Sequence, residues 1–303
     1  MVHLQNKLAV ERINNRNMQY TINVRGKLVD FSSPQVMGIL NVTPDSFFAG
    51  SRKQTEAEIA DRANQVIAEG GTIIDVGAFS TRPGAPEVSQ EEEMARLRFG
   101  LEIVRREQPD AVVSVDTFRP DVARMAVEEY GADIINDVSE GGITGVVNTP
   151  LEKEDGTCPA IFRMVARLGV PYILMSVKPN VETMLMAYAR EIQQLRDLGV
   201  KDIILDPGFG FGKTLDDNYR LMAEMDKLHV LGLPLLVGVS RKTMIFKLLD
   251  TVPAGSLNGT TVLHTLSLMK GVSILRAHDV REAVEAVKIT SKTISSSPLS
   301  KHL

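Results

Sequence analysis

The stretch DIILDPGFGFGKT (residues 202–214) joins a short apolar run to a glycine-rich loop that ends in Lys213 and Thr214. As a nucleotide-binding loop it fails on register. A Walker-type loop would need its first glycine at position 207, where the chain has Pro207, a residue with no amide hydrogen to turn toward a phosphate. The dinucleotide pattern G-x-G-x-x-G fails as well, because the glycines fall at 208, 210 and 212. What remains is a buried strand that ends in Asp206, followed by a tight turn and then a segment of helical periodicity.

The same grammar recurs along the chain. Short Val- and Ile-rich runs bounded by turn residues stand at 36–43, 72–80, 111–117, 133–139, 171–177, 202–208, 234–240 and 272–278. Between and after them, helical periodicity predicts helices at Thr55–Glu69, Gln90–Arg106, Pro120–Tyr130, Ala160–Leu168, Val181–Leu198, Leu215–Leu228, Asn258–Lys270 and Val280–Lys292. The runs are nearly continuous in apolar residues, which indicates strands buried on both faces, as parallel strands covered by helices are. Eight such units in 303 residues predict a (β/α)8 TIM barrel. A doubly wound open sheet is the alternative, and its usual glycine fingerprint after the first strand is missing.

YTINVRGKLVDF (20–31), with Arg25-Gly26 between two alternating runs, predicts a β-hairpin ahead of the barrel, plugging its bottom. Residues 1–17 are expected to be an N-terminal extension, 18–294 a single catalytic barrel domain, and the polar stretch 295–303 a tail that frays. Charges run through the first 17 residues with no apolar core, and no stretch of 18 apolar residues follows, so a soluble cytoplasmic protein is expected. A formal charge of −4, from 34 basic and 38 acidic residues, offers no basic field for nucleic acid or an anionic membrane. The one cysteine, Cys158, excludes an internal disulfide and any multi-cysteine metal site, and reads as a packing residue.

In a barrel of this kind the active site lies at the C-terminal ends of the strands. There the sequence places Asn41, Ser80-Thr81-Arg82, Asp116, Asn136 with Asp137, Asp206, Ser240-Arg241-Lys242, and Arg276 with His278. A single Asp or Asn in such a place is commonly a helix cap or turn former. The set is different, since seven of the eight strands deliver polar groups to one rim. Asp116, Asn136 and Asp206 with Lys242 suit a flat heterocycle carrying both donors and acceptors. Arg82, Arg276, His278 and Asn41 suit an anion or a magnesium-bound phosphate. The pattern points to an enzyme that joins or releases a phosphorylated heterocycle.

MGILNVTPDSF (37–47), STRPGA (80–85), SVDT (114–117), INDVS (135–139), LDPGFGFGK (205–213), GVSRK (238–242) and RAHD (276–279) together resemble the dihydropteroate synthases, over most of the chain from about Val36 to Ile289. The resemblance implies condensation of 4-aminobenzoate with (7,8-dihydropterin-6-yl)methyl diphosphate to give 7,8-dihydropteroate and diphosphate in folate biosynthesis. It also implies magnesium assistance and a homodimer. It assigns Asp116, Asn136, Met175, Asp206, Phe211 and Lys242 to the pterin, and Asn41, Thr81, Arg82, Arg276 and His278 to the diphosphate. Asn41 is its expected magnesium contact and Ser240 its aminobenzoate contact; Asp116, Asp206, Arg82 and Lys242 carry the catalysis. Three places depart from the family's usual pattern: Ala49 stands for a loop aspartate, Ser176 for a histidine after the fifth strand, and VGAF (76–79) for a run with a double glycine. A pterin-dependent methyltransferase domain and a noncatalytic pterin-binding paralogue are the rival readings. The first normally belongs to a larger cobalamin-dependent protein, and the second leaves the retained diphosphate set without a purpose.

Overall fold

A period-two alternation inside a closed sheet gives each strand one face for the barrel interior and one for the surrounding helices, and the chain fills both with apolar residues. A computed structural model describes residues 20–42, 52–79, 88–142 and 158–296. Two strands, β1 (Thr21–Val24) and β2 (Lys27–Asp30), form the antiparallel hairpin. The barrel strands are β3 (Gln35–Asn41), β4 (Ile73–Gly77), β5 (Val112–Asp116), β6 (Ile134–Asp137), β7 (Tyr172–Met175), β8 (Ile203–Asp206), β9 (Leu236–Val237) and β10 (Ile274–Ala277).

All neighbours in this sheet are parallel, in the order β8-β7-β6-β5-β4-β3-β10-β9. A parallel bridge between Leu205 and Leu235, with the Leu205 N–H on the Pro234 carbonyl at 2.9 Å, joins β8 to the start of β9 and closes the ring. The fold is therefore a (β/α)8 barrel rather than an open doubly wound sheet.

The floor is apolar. Met37, Ile73, Ile134, Ile173, Ile204, Leu236 and Ile274, from seven strands, pack with Ile22, Val24 and Phe31 of the hairpin segment. Arg25 (φ 50°) and Gly26 (φ 77°) form the two-residue turn between the paired Val24 and Lys27, the left-handed geometry that suits a tight hairpin. The Arg25 guanidinium reaches the Asp133 carboxylate and the Ala111 carbonyl, and the Asn23 N–H donates to Asp202 at 3.1 Å. Those partners precede β5, β6 and β8, so the hairpin plugs the N-terminal end of the barrel as expected.

Each segment expected to be helical forms a helix, at Arg52–Ala68, Gln90–Glu107, Pro120–Tyr130, Ala160–Leu168, Val181–Asp197, Leu215–Glu224, Leu257–Met269 and Val280–Ser295. The sixth differs from the expected Leu215–Leu228. Its α-helix ends at Glu224 and tightens into a 3-10 turn, Met225–Leu231, closed by Gly232 at φ 66°. A short helix, Thr243–Leu248, follows β9 and was not expected, since six residues are too few to display a helical period. The last helix continues to Ser295, past the domain boundary expected at 294. Cys158 packs against the core, as expected. No helix among the described residues is long and apolar enough to cross a membrane. The N-terminal extension 1–17, the first loop with Ala49, Thr81 and Arg82 of the second loop, and residues 297–303 of the tail lie outside the described residues.

Candidate active site

Beyond the apolar floor, the inward face of several strands changes character. Ile73 is followed on the same face by Asp75, Ile134 by Asn136, Ile173 by Met175, Ile204 by Asp206 and Ile274 by Arg276; on β5, Val112 leads through Ser114 to Asp116. The strand period thus lifts carboxylates, an amide and a guanidinium into one layer at the C-terminal mouth.

Arg276 sits at the centre of that layer. Its Nε donates to Asp75 Oδ2 at 2.6 Å and its Nη2 to Asp116 Oδ2 at 3.0 Å. Asn136 Nδ2 donates to the same Asp75 carboxylate at 3.2 Å. Two acceptors in this layer, Asp116 Oδ1 and Asn136 Oδ1, are buried and receive no hydrogen bond from the described residues. Leaving such atoms unsatisfied costs about 1–3 kcal/mol each, so the mouth is built to receive donors from a ligand. Burial pushes the Asp116 carboxyl up to about 7, Asp75 adding to the effect while Arg276 opposes it.

Across the mouth, burial raises the Asp206 carboxyl and Lys242 pulls the other way. Asp206 Oδ1 accepts the Gly208 N–H at 2.8 Å, and Tyr188 fixes the strand end by donating its hydroxyl to the Asp206 carbonyl at 2.6 Å. Lys242 lies along the loop after β8, donating to the Phe209 carbonyl and placing its Nζ 4.6 Å from the centre of the Phe211 ring. Burial lowers its ammonium to about 8. Phe211 packs with Val138, Met175 and Val177 as an apolar wall beside these charges.

The glycine-rich loop after β8 serves this wall. Lys213 Nζ binds the carbonyls of Ser176, Gly208 and Phe211 at 3.1, 3.0 and 3.2 Å, so its charge is spent on backbone. Thr214 caps the following helix in a reciprocal pair with Asp217. Gly208 has φ 67°, and a Cβ there would meet the Ser176 carbonyl oxygen at 2.1 Å, so no other residue fits.

At the end of β4, a Cβ placed on Gly77 would lie 3.5 Å from Asn41 Oδ1 and 3.8 Å from Asp116 Oδ2, so Asn41 on β3 and Asp116 on β5 flank the same glycine. Ser240 Oγ accepts the His278 N–H at 3.1 Å. The structure therefore brings together Asn41, Asp116, Asn136, Met175, Asp206, Phe211, Ser240, Lys242, Arg276 and the His278 backbone at one end of the barrel. Arg276, grouped with the anion set by its position on the last strand, also belongs to the carboxylate layer through Asp75 and Asp116. Asp75 is the group that the sequence reading leaves out of the site. Its signal was available: an aspartate inside an apolar run, as Asp116 is.

The chain matches the model of the family described as pterin binding enzyme over residues 37–278. It is 38% identical over 286 residues to the dihydropteroate synthase of Escherichia coli (strain K12), covering 89% of this chain and 95% of the relative. To that of Bacillus subtilis (strain 168) it is 37% identical over 262 residues, covering 84% and 86%. Among solved structures, the Yersinia pestis dihydropteroate synthase in a sulfonamide drug complex superposes with a TM-score of 0.79 at 34% identity, covering 92% of this chain and 100% of that one. The Xanthomonas albilineans dihydropteroate synthase with 4-aminobenzoic acid gives 0.79 at 32% identity, with the same coverage. Coverage at both ends of the alignment and the match from the first barrel strand to the last leave one conclusion: the chain belongs to the pterin-binding enzyme family, among its dihydropteroate synthases.

Proposed function

We propose that the protein condenses (7,8-dihydropterin-6-yl)methyl diphosphate with 4-aminobenzoate, releasing diphosphate and forming 7,8-dihydropteroate for folate synthesis. The observation that carries the reading is the buried layer in which Asp116 Oδ1 and Asn136 Oδ1 await donors beside Asp206. A pterin presents an amino group, ring N–H donors and ring acceptors on one edge, so carboxylates and an amide meet the donors. The Met175–Phe211 wall takes the ring face.

The reaction on this reading is dissociative. The carbon–oxygen bond to diphosphate breaks with its electron pair leaving on oxygen, and the methylene carbon becomes a cation delocalised into the pterin ring. Asp116 and Asp206 stabilise that positive charge in a site of low dielectric. The aminobenzoate nitrogen then donates its lone pair to the carbon and loses a proton to the released diphosphate or to water. No nucleophilic side chain is needed. Arg276 on β10 and His278 just after it, with Thr81 and Arg82 outside the described residues, hold the departing anion; Ser240 orients the aminobenzoate carboxylate.

Magnesium fits the donor set in one way. Among the described residues no three His, Cys, Asp or Glu groups converge on a metal. A single amide oxygen, that of Asn41 at the end of β3, suits a cation that takes its other ligands from water and phosphate oxygens. Bound there, it supplies counter-charge to diphosphate. A homodimer of cytoplasmic location completes the proposal. Exposed Val262, Leu266 and Met269 repeat at helical spacing on Leu257–Met269, an apolar stripe that supports self-association.

The test is to incubate purified protein with the pterin diphosphate, magnesium and radiolabelled 4-aminobenzoate. Labelled dihydropteroate and diphosphate in equal amounts are expected. Binding of the pterin without labelled product would instead make this a pterin-binding protein.

A further inference from the structure

Arg241 stands between two groups of the site, Ser240 and Lys242, with φ at +54°. A residue with a Cβ enters that region at a cost and persists there when its surroundings hold it. Here the holding groups are visible. Nε and Nη2 donate to the two carboxylate oxygens of Asp279 at 2.9 and 2.8 Å, a fork-on-fork ion pair. Nη1 donates to the carbonyls of Pro253 and Ala254 at 2.9 and 3.0 Å. The Arg241 N–H donates to Thr260 Oγ1 at 3.0 Å, and the Lys242 N–H returns to the Val239 carbonyl at 3.2 Å. The guanidinium therefore points into the outer shell of helices while its two chain neighbours serve the mouth.

The partner of Arg241 is also the neighbour of a site residue. Asp279 follows His278, whose N–H is on Ser240 Oγ at 3.1 Å and whose carbonyl accepts from Arg62 Nη2 at 2.7 Å. Arg62 Nε also binds the Ile39 carbonyl at 3.1 Å, two residues before Asn41. The end of β9 is thus tied to the end of β10 twice, once inside the site through Ser240 and once outside it through Arg241 and Asp279.

We propose that the Arg241–Asp279 ion pair is a positioning strut, which holds the left-handed turn after β9 and keeps Ser240 and Lys242 in register with His278. The inference rests on the reading of those three groups as substrate contacts. Neither member of the pair touches substrate; each acts through its neighbours.

The test is a double-mutant cycle of Arg241→Ala and Asp279→Asn, with Arg241→Lys as the conservative variant. It is read by kcat/KM, by calorimetric affinity for inorganic diphosphate with magnesium, and by thermal unfolding. Misplacing positioned groups by a fraction of an ångström to an ångström lowers kcat/KM by on the order of 10- to 100-fold. Each single variant should show that loss together with weaker diphosphate binding. The double variant should be no worse than the poorer single, since the pair acts as one unit. Arg241→Lys, which keeps a charge on Asp279, should recover part of the loss. Single variants within twofold of wild type, or losses that multiply in the double variant, would overturn the strut. So would a lowered melting temperature with unchanged diphosphate affinity, which would assign the pair to stability alone. If the wild type binds diphosphate but makes no dihydropteroate, the proposed activity fails, and the strut is still judged by whether the two variants weaken diphosphate binding together.

Discussion

Asp116→Asn should make the protein more stable in mildly alkaline solution while impairing it as a catalyst. Burial raises the Asp116 carboxyl from the ordinary aspartate range to about 7, more than Arg276 at 3.0 Å can offset. A raised carboxylate means that the folded state prefers the protonated form. Its cost is absent below the ordinary value, grows as pH rises toward about 7, and is complete above it. At about 1.4 kcal/mol per pH unit, the ionised group costs the fold about 4 kcal/mol. Asparagine keeps an oxygen for Arg276 and carries no charge at any pH, so it removes that cost. The assay is urea unfolding of both proteins at about pH 5 and about pH 8, taking the difference between them so that other titrating groups cancel. The variant should gain about 2–4 kcal/mol relative to wild type between the two conditions. A difference that stays constant, or that moves against the variant as pH rises, refutes the assignment of Asp116 as a carboxylate strained by its site.

Four further outcomes are expected. In kcat/KM for the pterin substrate, activity should rise with pH until Asp116 ionises at about 7 and fall once Lys242 loses its proton at about 8; a flat profile across that range would count against both roles. Asp206→Asn should weaken pterin binding at little cost in stability. Arg276→Ala, which strands Asp75 and Asp116 beside one another, should destabilise the fold by about 3–5 kcal/mol at high pH as well as weaken diphosphate binding; equal pterin affinity in Asp206→Asn and wild type would remove Asp206 from the pocket. Ile22→Ala in the hairpin plug should cost about 2–4 kcal/mol in unfolding free energy with kcat/KM unchanged, because Ile22 packs on the floor rather than at the mouth.

The barrel was legible because parallel strands covered on both faces write themselves as apolar runs, and because the helices between them keep a regular period. The segments that escaped have physical reasons. Met225–Leu231 continues the apolar pattern of the helix before it while its backbone tightens toward Gly232, a change of hydrogen bonding that leaves no mark in hydropathy. Asp116, Asn136 and Asp206 announced themselves as polar groups inside apolar runs, and Lys213 as an unabsorbed remnant of a false nucleotide motif. Asp75 carried the same mark as Asp116. Its place beside Arg276, 201 residues away in sequence, follows only from the strand order that sets β3 between β4 and β10. The Arg241–Asp279 strut was hidden for a similar reason, since a positive φ and a bidentate pair belong to geometry rather than to composition.

A crystal structure of the protein with a pterin bound tests the central claim most directly. The pterin ring is expected to lie on the Met175–Phe211 wall, with its amino and ring N–H groups on Asp116, Asn136 and Asp206 and its methylene substituent directed toward Arg276 and His278. A pterin seated elsewhere, or one that leaves Asp116 Oδ1 and Asn136 Oδ1 without a donor, would contradict the account.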